Sequence, residues 1–177
     1  MKKAIEIAEF VLKVLSCVGI LCAGGWAIWV FWLNGATGWQ ANVTFETQVL
    51  PYHDDLRLLV IHVKAKNPRN TMFELKSDQH DSYTLRVRKI AIDGKAGAIF
   101  HEDEGDIIAS VDLLKLADDD YVFLPGAEMD DMQTIVLPVG TTVALNADME
   151  LHAGSLDEHG KPDVYTNGAS TVVHVAP

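Results

Sequence analysis

A run of twenty residues without a charge, from Val14 to Leu33, constrains the fold of this chain more than any other feature. As an α-helix with a rise of about 1.5 Å per residue it would be about 30 Å long, the thickness of a bilayer's hydrocarbon core. In hydrocarbon the backbone must satisfy its own hydrogen bonds, which a helix does. The sequence therefore predicts one transmembrane helix over 14–33, preceded by a short cytoplasmic segment over 1–13 that is the polar start of the same helix.

Basic residues close to this run lie on one side of it only, and they predict its orientation. Lys2, Lys3 and Lys13 precede it, and no Lys or Arg follows it until Arg57. Because basic residues close to a membrane helix stay in the cytoplasm, the amino end is expected inside and the remainder outside. A cleaved signal peptide is the alternative, but its apolar core is shorter, about 7–15 residues, and Leu33 stands where a small residue is needed.

Cysteine content and charge limit which cellular compartment and which classes of partner are expected. Both cysteines, Cys17 and Cys22, lie in the apolar run, so the remainder forms no disulfide, as is ordinary for a bacterial periplasmic domain. Three of the 14 basic and two of the 25 acidic residues precede Leu33, which leaves 11 and 23 after it, a net charge of −12. Such a domain repels nucleic acid. We expect a single-pass protein of the bacterial inner (cytoplasmic) membrane with a periplasmic domain.

Residues 41–177, which follow a Gly-containing linker over 34–40, are patterned for strands. Apolar and polar residues alternate, and Gly, Pro and Asn-Pro signals separate the segments. Ile107 to Leu116 is predicted as a short helix, and a bulge is expected near Lys89. The pattern predicts an antiparallel immunoglobulin-like β-sandwich, with a small β-barrel as the alternative. The predicted strands cover 43–49, 56–66, 71–76, 83–88, 121–124, 133–139, 141–151 and 169–175.

The segment from Leu56 to Lys66 is the strongest strand prediction, and both of its faces are apolar in the middle. Leu58, Val60 and His62 share the face that points away from the predicted core. Two interpretations remain open for this face: cover by another segment, such as 107–116, or a docking surface for a partner protein.

No sequence motif for catalysis is present. The chain has no G-x-S-x-G, no Walker loop, no G-x-G-x-x-G and no H-E-x-x-H, so we predict that it is not an enzyme and has no cofactor. Imidazole with carboxylate could hold zinc or copper, although the spacing matches no known motif and solvated loops are the simpler interpretation. The candidates for such a metal site are His101, His152, Asp157 and His159.

Small residues recur along the predicted membrane helix. Ser16, Gly19, Ala23 and Ala27 fall within about 80° of one another at 100° per residue, and Gly24 widens the stripe. Small residues spaced in this way let two helix backbones approach closely. The stripe predicts packing against a second copy of the chain or against another subunit.

These observations lead to two hypotheses of function. The first is an accessory or scaffolding subunit of a membrane protein complex, which binds its partners through the β-sandwich and the helix. The second is a membrane-anchored sensor or carrier that binds a metal ion or small ligand through acidic and His-bearing loops. The sequence does not identify the partner.

Overall fold

The structure, a computed structural model, describes residues 2–30, 39–91, 95–101, 103–156 and 160–177. The chain divides into two compact units, Met1–Gly38 and Trp39–Pro177. One apolar helix belongs to the first unit, and the strands belong to the second. Most of the predicted linker over 34–40 and the end of the predicted membrane segment lie outside the described residues.

In the described part of the first unit, residues 2–30, the chain forms the helix α1, Lys2–Ile28. Its segment Glu9–Ile28 is long and apolar enough to cross a membrane, and none of that segment is buried within the protein. The helix begins well before Val14, because the polar start carries good helix formers and no residue that would end a helix.

The second unit is mainly β, with nine strands among the described residues. A 3-10 turn, Ser77–Gln79, and a single helical turn, α2 (Leu113–Leu116), interrupt them. The strands are β1 (Asn42–His53), β2 (Leu56–Lys66), β3 (Phe73–Lys76), β4 (Ser82–Lys89), β5 (Asp106–Asp112), β6 (Asp120–Phe123), β7 (Glu128–Pro138), β8 (Thr142–Leu156) and β9 (Pro162–His174).

These strands form two main antiparallel sheets and one short pair. The three-stranded sheet has the order β1-β2-β7, and the four-stranded sheet has the order β5-β4-β8-β9. The short strands β3 and β6 pair with each other. Neither main sheet closes on itself within the described residues, so the prediction of a small barrel is wrong.

One hydrophobic core lies between the inner faces of the sheets. Leu59, Ile61 and Val63 of β2 and Leu145 and Met149 of β8 are fully buried members of it. Each set alternates with side chains that point the other way, as the period of a strand requires. The rings of Phe73, Tyr121 and Phe123 stack at one side of this core, with centroids 4.5 and 4.9 Å apart. The alternation predicted for β2, β4 and β8 is thus the observed division between inner and outer faces.

The predicted helix over 107–116 is wrong. Its first part is β5, which pairs with β4, and only Leu113–Leu116 form a helical turn, α2. The β-branched residues Ile107, Ile108 and Val111 favour extended backbone, and the neighbouring edge of β4 supplies the hydrogen bonds. The Asp112 side chain accepts a bond of 3.2 Å from the Lys115 amide and so begins the turn. The register of β4 against β5 shifts between Val87 and Arg88, close to the bulge expected at Lys89.

Candidate functional site

The central strand of the three-stranded sheet positions the candidate partner surface. β2 pairs with β1 along one side and with β7 along the other, so its outer side chains lie in the middle of a face. Leu58 lies between Leu50 and Val136, and Val60 lies between Gln48 and Thr134. The segment 107–116 does not cover this face, since it forms β5 and α2 alongside β4.

Five apolar side chains share this outer face, and we call them the outer strip. Their exposure differs: Val60 is only 9% exposed, whereas Met132 is 58% and Val136 is 40% exposed. The central member Val60 is therefore shielded from solvent, while the members on β7 are open to it. The outer strip consists of Leu50, Leu58, Val60, Met132 and Val136.

Hydrogen-bonded polar pairs border the outer strip at the other end of β2. His62 Nδ1 lies 2.9 Å from Asp130 Oδ1, and Lys64 Nζ lies 2.5 Å from Glu46 Oε1. The hydrogen bond to Glu46 raises the pKa of Lys64 and outweighs partial desolvation, so this ammonium stays charged. The face thus combines an apolar patch with a hydrogen-bonded polar border, the arrangement found in many protein interfaces. His62 belongs to the border rather than to the apolar patch.

The small-residue stripe lies along α1. Ser16, Gly19, Ala23, Gly24 and Ala27 are all in this helix and are all exposed within the unit. A Cβ built on Gly19 or Gly24 would meet no other atom within 4 Å. The stripe is therefore a flat surface along the helix, open to a neighbouring helix.

The metal candidates do not form one described cluster. His101 is exposed and precedes β5, whose first residue pairs with Lys89 at the end of β4. His152 lies near the start of β4, where its amide donates to Asp81 Oδ1. Asp157 and His159 lie outside the described residues. Among the residues that are described, no group of three His, Cys, Asp or Glu side chains is placed to hold a metal ion.

Asp81 is a buried carboxylate that the sequence pattern did not single out. Its Oδ2 accepts from the Lys76 amide at 2.8 Å, and its Oδ1 accepts from the His152 amide at 2.7 Å. It thereby ties the turn after β3 to β8. His152 Nδ1 lies 3.6 Å from the same carboxylate, so the imidazole is next to a group that holds the fold together. In the sequence, the only sign of a role for Asp81 was its position just before a predicted strand. The partner His152 is too distant in sequence for the contact to be predicted.

Comparison with known proteins adds little to this geometry. No protein-family model matches the chain, and no curated protein sequence matches it. A solved structure that does match is that of a protein provisionally named ApaA from Bordetella pertussis, which is 12% identical. The match covers 77% of this chain and 94% of that one, with a TM-score of 0.48. A likeness of this size leads to no conclusion about activity.

Proposed function

We propose that this chain is a non-enzymatic, single-pass protein of the bacterial inner membrane that serves as an accessory or scaffolding subunit of a membrane protein complex. Its amino end lies in the cytoplasm, and its β domain, an immunoglobulin-like sandwich, lies in the periplasm. The observation behind this proposal is the outer strip on a domain that follows a membrane-length helix.

The chemistry of the outer face favours a protein as the partner. Transfer of the aliphatic and thioether side chains of this face out of water lowers the free energy of the system. These side chains provide no strong hydrogen-bonding group for a polar small molecule. The His62–Asp130 and Lys64–Glu46 pairs at its border can orient a partner that bears complementary charges. The net negative charge of the domain disfavours an anionic lipid surface.

Photo-crosslinking in native membranes tests this proposal. A benzoyl-phenylalanine placed at Met132, which is exposed, should give adducts of discrete mass after irradiation. Adding Val136→Lys should reduce these adducts at least tenfold, because an ammonium would be buried at the interface without a partner. The melting temperature of the variant should stay that of the parent, since Val136 is partly exposed in the free domain.

Val172→Lys is the matched control for this experiment. Val172 is 61% exposed, also lies in a strand and is on the four-stranded sheet. This variant should leave the adducts at position 132 unchanged. Adducts that persist in Val136→Lys, or that vanish equally in Val172→Lys, would show that the outer strip is not the partner surface.

A further inference from the structure

Each main sheet ends in two edge strands, and these four edges differ in what lies beside them. β1 and β9 lie next to each other, and the side chain of Asn167 in β9 donates a hydrogen bond to the Ala41 carbonyl oxygen just before β1. β5 and β7 each pair with one strand only, so one side of each is open among the described residues. An open edge presents unpaired amide and carbonyl groups to which another strand can bind.

Charge distinguishes the two open edges. β7 carries Asp130 and Asp131 in its first half, and charged side chains on an edge strand oppose pairing with another chain. β5 has no charged residue from Ile107 to Val111, and the side chains of Ile107 and Ile108 are 51% and 40% exposed. β5 is therefore the open edge that is better suited to accept a further strand.

The pairing of β4 shows which backbone groups of β5 face the open side. The Ile90 amide donates to the Thr142 carbonyl oxygen at 3.0 Å, so even-numbered residues of β4 bond to β8 and odd-numbered ones bond to β5. Val87 therefore shares hydrogen bonds with Ala109, which lies opposite it. Ser110 is the next residue along β5, so its amide and carbonyl groups point away from β4, to the open side.

Acidic side chains surround the beginning of this edge. Asp103 and Glu104 lie in the loop before β5, Asp106 is its first residue, and all three are exposed. In the part of the chain that the structure describes, none of the three is within ion-pair distance of a basic side chain. An antiparallel strand added to β5 would bring its C-terminal end to these carboxylates, so Lys or Arg at that end would find complementary charge.

A second copy of β5 matches this edge poorly. In an antiparallel pair centred on Ala109, Asp106 of one copy would lie opposite Asp112 of the other at both ends of the pair. Like charges directly opposite each other destabilise a strand pair. Two domains of this acidic composition would also repel each other. The charges of the edge thus favour a different chain with a basic end.

We propose that the open edge of β5 binds an extended segment of a partner protein, which adds as an antiparallel strand to the four-stranded sheet. The segment has alternating apolar residues followed by Lys or Arg at its C-terminal end. It bonds to the backbone of Ser110, contacts Ile107 and Ile108 with its apolar side chains, and takes its direction from the charges of Asp103 and Glu104. This edge is separate from the outer strip, and a segment can occupy it whatever binds to the other sheet.

A synthetic peptide with this pattern tests the edge. The probe is fluorescein-Gly-Thr-Val-Thr-Val-Thr-Val-Lys-Lys-amide, and its fluorescence anisotropy is measured with the full chain in nanodiscs of phosphatidylcholine. We expect saturable binding at one peptide per chain, and at least tenfold weaker binding when Glu-Glu replaces Lys-Lys. Ser110→Pro should also weaken binding at least tenfold, because proline removes an amide from the open side and keeps the bonds to β4.

Thr134→Pro is the matched control for Ser110→Pro. Val139 donates to the Asp55 carbonyl oxygen beside β2, so Thr134, an odd number of positions earlier, faces the open side of β7. This variant should leave peptide binding unchanged. A dimer of the full chain that Ser110→Pro converts to monomer would show instead that a second copy occupies the edge of β5.

Charge reversal tests the direction of the bound segment. Asp103→Lys together with Glu104→Lys should make the Glu-Glu peptide the tighter ligand, whereas Asp54→Lys together with Asp55→Lys, in the turn between β1 and β2, should not. The reversed residues lie in a loop, so this variant stays informative if Ser110→Pro disturbs folding. No saturable binding of the Lys-Lys peptide, equal loss in Ser110→Pro and the control, or a preference that reversal leaves unchanged would overturn the proposal.

Discussion

At the residue scale, Asp131 shows how a single carboxylate couples the stability of the domain to pH. It lies half-buried on the inner side of β7 and accepts a hydrogen bond of 2.7 Å from the Tyr121 hydroxyl. Burial raises the pKa of Asp131 and the neighbouring charge of Asp130 adds to this effect, while the Tyr121 bond opposes it. The same carboxylate and burial raise the pKa of Tyr121 far above its usual range.

The raised pKa of Asp131 predicts a pH-dependent effect of Asp131→Asn. The folded domain holds this proton more tightly than the unfolded chain, so the contribution of Asp131 to stability is full below the ordinary carboxyl pKa. It is lost as pH rises through the folded-state pKa. Asparagine keeps an acceptor for Tyr121 and stays neutral. The variant should therefore melt at a higher temperature than the parent at pH 7, and the gain should shrink towards zero at pH 4.

Thermal denaturation of both proteins across pH 4–7.5, followed by circular dichroism, measures this difference. Asp130→Asn removes the same charge from the adjacent position, which points to the outer face and pairs with His62. That control should give a much smaller gain at pH 7, because it relieves the repulsion of Asp131 but also removes the contact with His62. An Asp131→Asn variant that is less stable than the parent at every pH would contradict the prediction.

Alternation along the chain shows which residues face inward, but it does not show what their polar neighbours contact. Alternation along β4 puts Tyr83 and Leu85 on one face, and both are buried. Alternation along β8 puts Asn146 on the outer face, yet it is only 6% exposed. It lies opposite Arg86 of β4, sixty residues earlier in the chain, a proximity that only the sheet register creates.

At the scale of elements, the strands with a strong period were predicted well, and the edge strand β5 was not. Leu56–Lys66 was predicted with the bounds that β2 has, because aliphatic residues fill the middle of this central strand and turn signals flank it. β5 lies at an edge, with one exposed side, so its pattern is weak and resembles a helix. β7 begins at Glu128 rather than near Gln133, because the pairing of Lys66 with Glu128 extends it among charged residues.

The helix α1 is the element whose role is tested most directly by substitution. Gly19→Ile together with Ala23→Ile would place two branched side chains on the flat stripe and hold a neighbouring backbone away. We expect crosslinking of the full chain to its helix partner in native membranes to fall at least severalfold. The exposed residue Leu21 lies on another side of the helix, so Leu21→Ile serves as the control.

Crosslinking that is equal in the double variant and in the control would leave α1 as an anchor without a specific neighbour. The β domain would then be the remaining candidate for contact with the complex. Expression and membrane insertion should be the same for all three proteins, because isoleucine is as apolar as the segment requires.

At the scale of the whole molecule, the two antiparallel sheets bring together residues that are far apart in sequence. Arg86 and Asp148 form one ion pair, and Asp81 and His152 form one hydrogen bond, each across more than sixty residues. Local sequence patterns predict strands, but the order of strands within a sheet depends on long-range pairing that no local pattern encodes. For this reason the mainly β class was predictable, whereas the open edge of β5 was not.

The sidedness of the molecule can be tested with a membrane-impermeant maleimide on spheroplasts. In a background with Cys17→Ser and Cys22→Ser, Ser110→Cys places one exposed thiol on β5, and Lys3→Cys places one thiol near the amino end. Because lysines precede the apolar run and none follows it closely, Ser110→Cys should label in intact spheroplasts and Lys3→Cys only after permeabilisation. The opposite pattern would place the β domain in the cytoplasm, and its protein partner would then have to be sought there. Absence of the Lys3→Cys thiol from the mature chain even after permeabilisation, with the β domain recovered in the soluble fraction, would show that α1 is removed rather than retained.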